Sequence, residues 1–303
     1  MLTDTTAVNS PRILILGVSS WLGYELVASL VRMNYSGVIY GTFWRTKVRV
    51  PGCSKIIQTS STRDILKLLD ELEPDVVVNF LRGETEADYA LHCQLHQRLA
   101  LANCFYVYAS SVLALDGYQD RSLNESLPAK AVSDYGRFKA RCEQVFDLKD
   151  PNWCVIRFAS VQGWVPHKRT RNEIFLAMLA ADQFIKVDQG VRQNRMLASL
   201  VTDGIAKILV HPLSGVIHFG TVDASDELTF LRKVATNFGY SPELVIAGTE
   251  RKINLVAHPE RIQRELGLEF LVTEQDTLDG LTRLEGLRRY LSKGMKENEL
   301  KSR

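Results

Sequence analysis

Short apolar runs alternate with amphipathic stretches along the first half of the chain. Residues 12–16 read Arg-Ile-Leu-Ile-Leu, a run rich in branched side chains between Pro11 and Gly17, as in a strand buried on both faces. A helical pattern follows over 24–33. Further strands are predicted over 38–43, 55–58, 75–80, 104–109 and 153–158. Amphipathic helices are predicted over 62–72 and 84–102, and Ser133 or Asp134 can cap another that starts just beyond them. The order is β-α-β-β-α-β-α-β-α-β. Strands alternating with helices give an α/β fold, a parallel sheet doubly wound by its helices.

Beyond Gly163 the alternation loosens. Late strands near 184–187 and 215–219 are expected to return to the sheet, while helices near 226–238, 259–266 and 274–291 build a smaller C-terminal lobe. The expected division is a doubly wound α/β domain over 1–163 and, mostly, a smaller lobe over 164–303. The tail over 292–303 is highly charged and is expected to fray.

Composition narrows the class. At 303 residues the chain can form one large α/β domain with an attached lobe, and 46% hydrophobic with 24% charged residues is ordinary for a soluble protein. A net charge of +2, with no block of like charge beyond a short basic cluster, argues against a nucleic-acid binder. Residues 1–10 are polar and lack a basic segment leading into an apolar core, so no secretory signal is expected. No apolar run is long enough to span a bilayer, so no membrane partner is expected. Cys53, Cys93, Cys104, Cys142 and Cys154 are odd in number with no Cys-x-x-Cys pair, which suggests reduced thiols and a cytoplasmic location. His92 and His96 share a helical face but lack a third ligand or a neighbouring glutamate, so no metal is expected.

Two stretches carry candidate chemistry. The first is Gly17-Val18-Ser19-Ser20-Trp21-Leu22-Gly23, between a strand and a helix. In that context a helix N-terminus can receive a pyrophosphate while glycines let the backbone approach it; the plainer alternative is an ordinary tight turn. Ser20 stands where the middle glycine would fall in Gly-x-x-Gly-x-x-Gly, and serine fits there if that position needs no positive φ. Gly17, Ser19, Ser20, Trp21, Leu22 and Gly23 are therefore the candidate cofactor residues. After the second strand no Asp or Glu occurs between Glu25 and Asp64, while Arg45, Lys47 and Arg49 cluster. An acid there would hold a ribose 2′-hydroxyl and an arginine a 2′-phosphate, so NADP is expected ahead of NAD, with Arg45 as the contact. Asn79, with Phe80 after it, closes the fourth strand at the end where open α/β sheets bind ligands.

The second stretch is Tyr135-Gly136-Arg137-Phe138-Lys139, with Ser110-Ser111 closing the strand before it. Positions four apart share a helical face, so Tyr135 and Lys139 project together. An ammonium beside a phenol favours the phenolate, which suits proton exchange with a carbonyl oxygen that a serine hydroxyl also holds.

Together Gly17…Gly23, Asn79, Ser110-Ser111 and Tyr135…Lys139 resemble the extended short-chain dehydrogenase/reductase family. Within it, the run 110–117 looks like the Ser-Thr-Asp-Tyr-Val-Phe-Asp-Gly motif of dTDP-4-dehydrorhamnose reductases, and Tyr135-Gly136-Arg137-Phe138-Lys139 with Glu143 looks like their Tyr-Gly-Arg-Thr-Lys…Glu. The resemblance implies Ser111 polarising the substrate carbonyl, Tyr135 as acid/base, and Lys139 tuning Tyr135 and holding the nicotinamide ribose. Ser110 would be a strand-end neighbour. It also implies an NAD(P)-binding Rossmann domain over 1–163, a lobe over 164–303 that mostly binds substrate, and a nucleotide sugar as the small-molecule substrate. In this family the helices carrying His92 and Tyr135 often make dimers, so a homodimer is one expected assembly.

The departures fall on the substrate side. The reductases' Asp-Tyr is Val112-Leu113 here, and the tryptophan of their Arg-Thr-Ser-Trp-Val-Tyr-Gly is Ser160. The basic loop 167–171, including Arg169, and Arg195 farther on sit where the family's lobe holds its nucleotide; a solvated helix start is the plainer reading of the loop. The expected function is an NADPH-dependent reductase of a keto group on a nucleotide-linked sugar or a similar metabolite. The alternatives are an epimerase that retains its cofactor and a non-catalytic cofactor-binding regulatory subunit.

Overall fold

A computed structural model describes residues 11–119, 121–146 and 150–283. The polar segment 1–10, the expected tail over 292–303 and the end of the helix expected over 274–291 lie outside the described residues.

In chain order the first elements are β1 (Ile13–Leu16), α1 (Trp21–Arg32), β2 (Ile39–Phe43), β3 (Lys55–Gln58), α2 (Thr62–Leu72), β4 (Val76–Asn79), α3 (Glu86–Leu101) and β5 (Phe105–Ala109). A 3-10 turn over Val112–Leu115 precedes α4 (Asp134–Glu143), followed by β6 (Trp153–Phe158), β7 (Ser160–Gln162), α5 (Arg171–Leu179), β8 (Ile185–Gln193) and β9 (Arg195–Leu197). The rest comprises α6 (Ala198–Val210), β10 (Gly215–Phe219), β11 (Ser225–Asp226), α7 (Glu227–Asn237), β12 (Val245–Leu255), α8 (Glu260–Glu265) and α9 (Glu274–Arg283).

The main sheet has seven strands in the order β10-β6-β5-β4-β1-β2-β3. The pairs β1–β2, β2–β3, β1–β4 and β4–β5 are all parallel. The chain starts at β1, moves out to β3, then crosses back to β4 and winds the other way. That reversal between β1 and β4 is the doubly wound arrangement, and it opens a crevice at the carboxyl ends of those two strands. All four residues of β1 and of β4 are buried, as strands covered on both faces require.

The strand expected near 184–187 exists but does not return to this sheet. It begins β8, which lies in a separate three-stranded sheet, antiparallel to β11 and parallel to β12. Of the nine residues of β8 only Val187 is buried, and such a half-wetted strand cannot sit inside a parallel sheet covered on both sides. The strand expected over 215–219 does join the main sheet, as β10. β12 carries no clean alternation and is interrupted by two register shifts, so its sequence gave little strand signal.

The chain divides into two compact units: one comprises the described residues of Met1–Ala109, Val145–Cys154 and Ile205–Gly215, the other those of Ser110–Gln144, Val155–Gly204 and Val216–Arg303. The second has an apolar cluster that includes Phe175, Leu176, Leu179, Phe230, Val245 and Leu281. A smaller one joins Val112, Leu115, Leu123, Leu255 and Ala257. No helix among the described residues is long and apolar enough to cross a membrane.

Candidate active site

The glycine turn belongs to the first unit. Gly17 has φ +82°, a left-handed conformation that suits glycine. A Cβ on Gly23 would stand 2.4 Å from the Gly17 carbonyl oxygen and 2.8 Å from Val18 Cα, so only a bare Cα lets α1 approach the turn this closely. Ser20, in the middle glycine's place, has φ −70° and needs no glycine; its Oγ caps α1 by accepting from Gly23 N at 3.0 Å. α1 has no acidic residue in its first turn, and Trp21 Nε1 is enclosed without a hydrogen-bond partner. Ser19, Trp21 and Leu22 are half-buried at this helix start. An anion can be received there by helix-start amides and the positive end of the helix dipole.

The turn is bolted to β2. Gly17 N donates to Thr42 Oγ1 at 3.1 Å, and Val18 N to Thr42 O at 2.9 Å. Arg45 lies two residues beyond β2, exposed, with its guanidinium carbon 4.5 Å from the Trp44 ring centroid. Asn79, at the end of β4, is buried and fully engaged: Nδ2 donates to the Tyr106 hydroxyl at 2.8 Å and Oδ1 accepts from Leu81 N at 2.9 Å. It shapes the strand end, and the Phe80 carbonyl lies 3.6 Å from where a Cβ on Gly17 would stand.

Ser111, Tyr135 and Lys139 all belong to the second unit. Ser111 Oγ accepts from Leu113 N at 3.2 Å and so starts the 3-10 turn that follows β5. That turn meets α4 closely: a Cβ on Gly136 would fall 2.3 Å from the Leu113 carbonyl oxygen. Ser133 caps α4 through Gly136 N at 3.1 Å, and buried Asp116 accepts from Ser133 N at 3.2 Å, which fixes where the helix begins. Lys139 is only 2% exposed, with Nζ 5.6 Å from the Tyr135 ring centroid, while Tyr135 itself stays half-exposed. A lysine this enclosed is uncommon, because an ammonium loses hydration on burial.

Behind these residues lies a network that the sequence did not reveal. Arg157 and Glu143, with side chains 2% and 5% exposed, form a two-pronged ion pair: Nε reaches Oε2 at 3.0 Å and Nη2 reaches it at 2.6 Å. The Ser110 hydroxyl donates to Glu143, Arg157 donates to the Leu127 carbonyl at 3.2 Å, and Arg157 Nη1 lies 3.3 Å from His218 Nε2. Glu143 and Arg157 were visible only as members of a motif; their pairing is a tertiary fact.

Several expected substrate contacts have other employment. Ser110 is buried and bonded to Glu143, and Val112 is buried in the smaller apolar cluster. Arg195 is a correction: it is 0% exposed, held by Glu274 at 3.0 Å and Glu227 at 2.7 Å with Phe230 against its guanidinium, so its charge is spent inside the fold. Ser160 accepts from Gln162 Nε2 at 2.8 Å in β7. Arg169 is exposed ahead of α5 and is compatible with either a ligand or solvent. His92 packs among Tyr106, Tyr108 and Phe146 with Nδ1 3.1 Å from the Tyr106 hydroxyl, which makes it a core residue. Among the described residues no group of three or more His, Cys, Asp or Glu could hold a metal ion.

The family described as RmlD substrate binding domain matches residues 11–264. No curated protein matches the sequence. Among solved structures, the chain resembles a dTDP-4-dehydrorhamnose reductase from Bacillus anthracis in complex with NADP, at 14% identity and TM-score 0.73, covering 90% of this chain and 98% of that one. It also resembles a UDP-N-acetylglucosamine 4-epimerase from Bacillus cereus, at 18% identity and TM-score 0.69, covering 90% and 98%. A dTDP-glucose 4,6-dehydratase from Streptomyces venezuelae, with NAD bound, matches at 19% identity and TM-score 0.75, covering 90% and 96%. Reductase, epimerase and dehydratase share this architecture, so at these identities the likeness speaks for the fold.

Proposed function

The chain belongs to the RmlD substrate binding domain family, and from that premise we propose that it is an NADPH-dependent reductase of a keto group on a nucleotide-linked sugar or a similar metabolite. The observation that carries the reading is Tyr135 and Lys139 on one face of α4, the amine buried and the phenol half-exposed beside it. In this reading Tyr135 passes its proton to the carbonyl oxygen being reduced. Lys139 favours the phenolate that remains, and the Ser111 hydroxyl holds the same oxygen. When bound, the cofactor supplies the hydride.

The residues present fit a dinucleotide. Gly17 makes the turn, Gly23 clears the approach of α1, and the first turn of α1 offers amides with no carboxylate among them. Ser19, Ser20, Trp21 and Leu22 would surround the pyrophosphate, and Phe80 would flank it. Arg45 would take a 2′-phosphate, which favours NADP, with NAD as the second candidate. Tyr135 and Lys139 would hold the nicotinamide ribose. On the substrate side Ser111, Ser160 and Arg169 keep polar groups that a nucleotide sugar could use. The cysteines are free thiols, which suits the cytoplasm. The homodimer stays a proposal for solution measurement.

The test follows NADPH oxidation at the reduced-nicotinamide absorbance band across a panel of keto-sugar nucleotides. Turnover that falls at least about a hundredfold in Tyr135→Phe supports the reading, since general acid catalysis contributes on that scale. Tight NADPH binding without turnover on any substrate supports a regulatory subunit instead. Sugar inversion with no net NADPH oxidation supports the epimerase.

A further inference from the structure

Tyr135, Lys139 and Glu143 follow one another at four-residue spacing, so all three lie along one face of α4. Tyr135 and Lys139 carry the proposed chemistry. Glu143 does not, because its side chain is enclosed. What it touches is the segment that holds Ser111. Arg157 takes Glu143 Oε2 at 3.0 and 2.6 Å, and Oε1 accepts from the Ser110 hydroxyl. Ser110 is buried, and its amide donates to the Ile156 carbonyl at 2.8 Å, so the residue before Ser111 is gripped from two sides. The other end of α4 is fastened to the same segment. Asp116 accepts from Ser133 N at 3.2 Å, and the bare Cα of Gly136 lets the helix lie against the Leu113 carbonyl. A helix pinned at both ends neither slides along its axis nor turns about it relative to 110–116.

We propose that Glu143 is a positioning residue for the reduction: through the Ser110 hydroxyl it sets where the Ser111 hydroxyl stands relative to the Tyr135–Lys139 face. The inference rests on the reading that Ser111 and Tyr135 serve one carbonyl oxygen. That oxygen must meet the phenol and the hydroxyl together, and the two come from different elements, a helix and a strand end. A misplacement of about 1 Å between such groups costs about a hundredfold in rate. The network thus has two duties. The Arg157 pairing keeps the Glu143 charge tolerable inside the fold, and the Ser110 hydrogen bond keeps the geometry.

The experiment separates those duties by measuring kcat, KM and melting temperature of the full chain with NADPH and a keto-sugar nucleotide that the wild type reduces. Ser110→Ala leaves the Arg157–Glu143 pair intact and removes only the link. Its kcat is expected to fall about tenfold or more, with both KM values within about threefold and the melting temperature within about 5 °C of wild type. The paired variant Arg157→Met with Glu143→Leu buries no charge, so most of the stability lost in Arg157→Met alone should return while kcat stays as low as in Ser110→Ala. Adding Ser110→Ala to that pair should lower kcat no further, because the link is already gone. Wild-type kcat in Ser110→Ala, or kcat that returns with stability in the paired variant, makes the network purely structural and overturns the proposal, with the Tyr135 reading left standing. A full further fall on adding Ser110→Ala to the pair gives Ser110 a role of its own and overturns it as well. A wild-type chain that reduces no keto-sugar nucleotide removes the reductase reading, and the positioning role with it.

Discussion

The glycine turn and the Arg157–Glu143 network are both candidate-site architecture, yet they are built from different materials. The turn is backbone: one positive φ, one missing Cβ, one capping serine, all within seven consecutive residues. The network is side chains: Glu143 lies 14 positions from Arg157, Ser110 lies 33 from Glu143, and His218 lies 61 from Arg157. The first is held by steric fit, the second by charges that lost water on burial and must satisfy one another. They should therefore fail differently.

The largest effect is expected at the network. Arg157→Met leaves Glu143 as an enclosed carboxylate with a hydroxyl for company, and breaking a buried pair from one side costs about 3–5 kcal/mol. Urea denaturation should register that loss. The double variant Arg157→Met with Glu143→Leu removes both charges and should recover much of it, because two apolar groups leave no unpaired ion. A single variant as stable as wild type would mean that the pair is not closed in solution, and the contrast with the turn would lose its basis.

Gly23→Ala comes next. A methyl placed 2.4 Å from a backbone oxygen forces α1 and the turn apart, and overpacking of this kind costs about 1–3 kcal/mol. Unlike the charge pair, this damage should have no partner substitution that repairs it. Dinucleotide affinity measured by titration should fall with stability. Unchanged affinity would argue that the close approach of α1 to the turn is not what admits the ligand.

That contrast also explains what was legible in the sequence. The apolar runs 12–16 and 75–80 announced buried parallel strands because residues adjacent in sequence share one environment. The strand–glycine–helix context located the turn, and the spacing of Tyr135 and Lys139 located a shared helical face. Arg195 reads on paper like an exposed ligand-seeking arginine. Only the fold supplies Glu274, 79 positions away, and Glu227, 32 away, which bury it. Val112 follows Ser110-Ser111 and by resemblance reads as a substrate-side residue, whereas in space it packs with Leu255 and Ala257. Nothing near 184–187 in the sequence points to β12, the strand that pairs with β8 in the separate sheet. Local order is written in consecutive residues, and partners distant in sequence are not.

The smallest effect expected is a dependence on pH, and it should belong to the network alone. Burial and the neighbouring Arg157 charge push the His218 imidazolium down to about 3, from 6.5 for a free histidine. Between those values an unfolded chain binds a proton that the folded chain refuses. The His218 contribution is therefore complete above about pH 6.5 and is lost progressively as pH falls toward 3, with a slope limited to about 1.4 kcal/mol per pH unit for one proton. From pH 7 to 5.5 wild type should lose about 1 kcal/mol more than His218→Gln, whose amide oxygen can still accept from Arg157 without titrating. Chemical denaturation of both proteins at the two pH values reads the difference directly, and parallel losses would show that His218 is hydrated enough to protonate in the folded state. The turn carries no titrating group between Gly17 and Gly23, so Gly23→Ala should shift the stability of the chain by the same amount at both pH values.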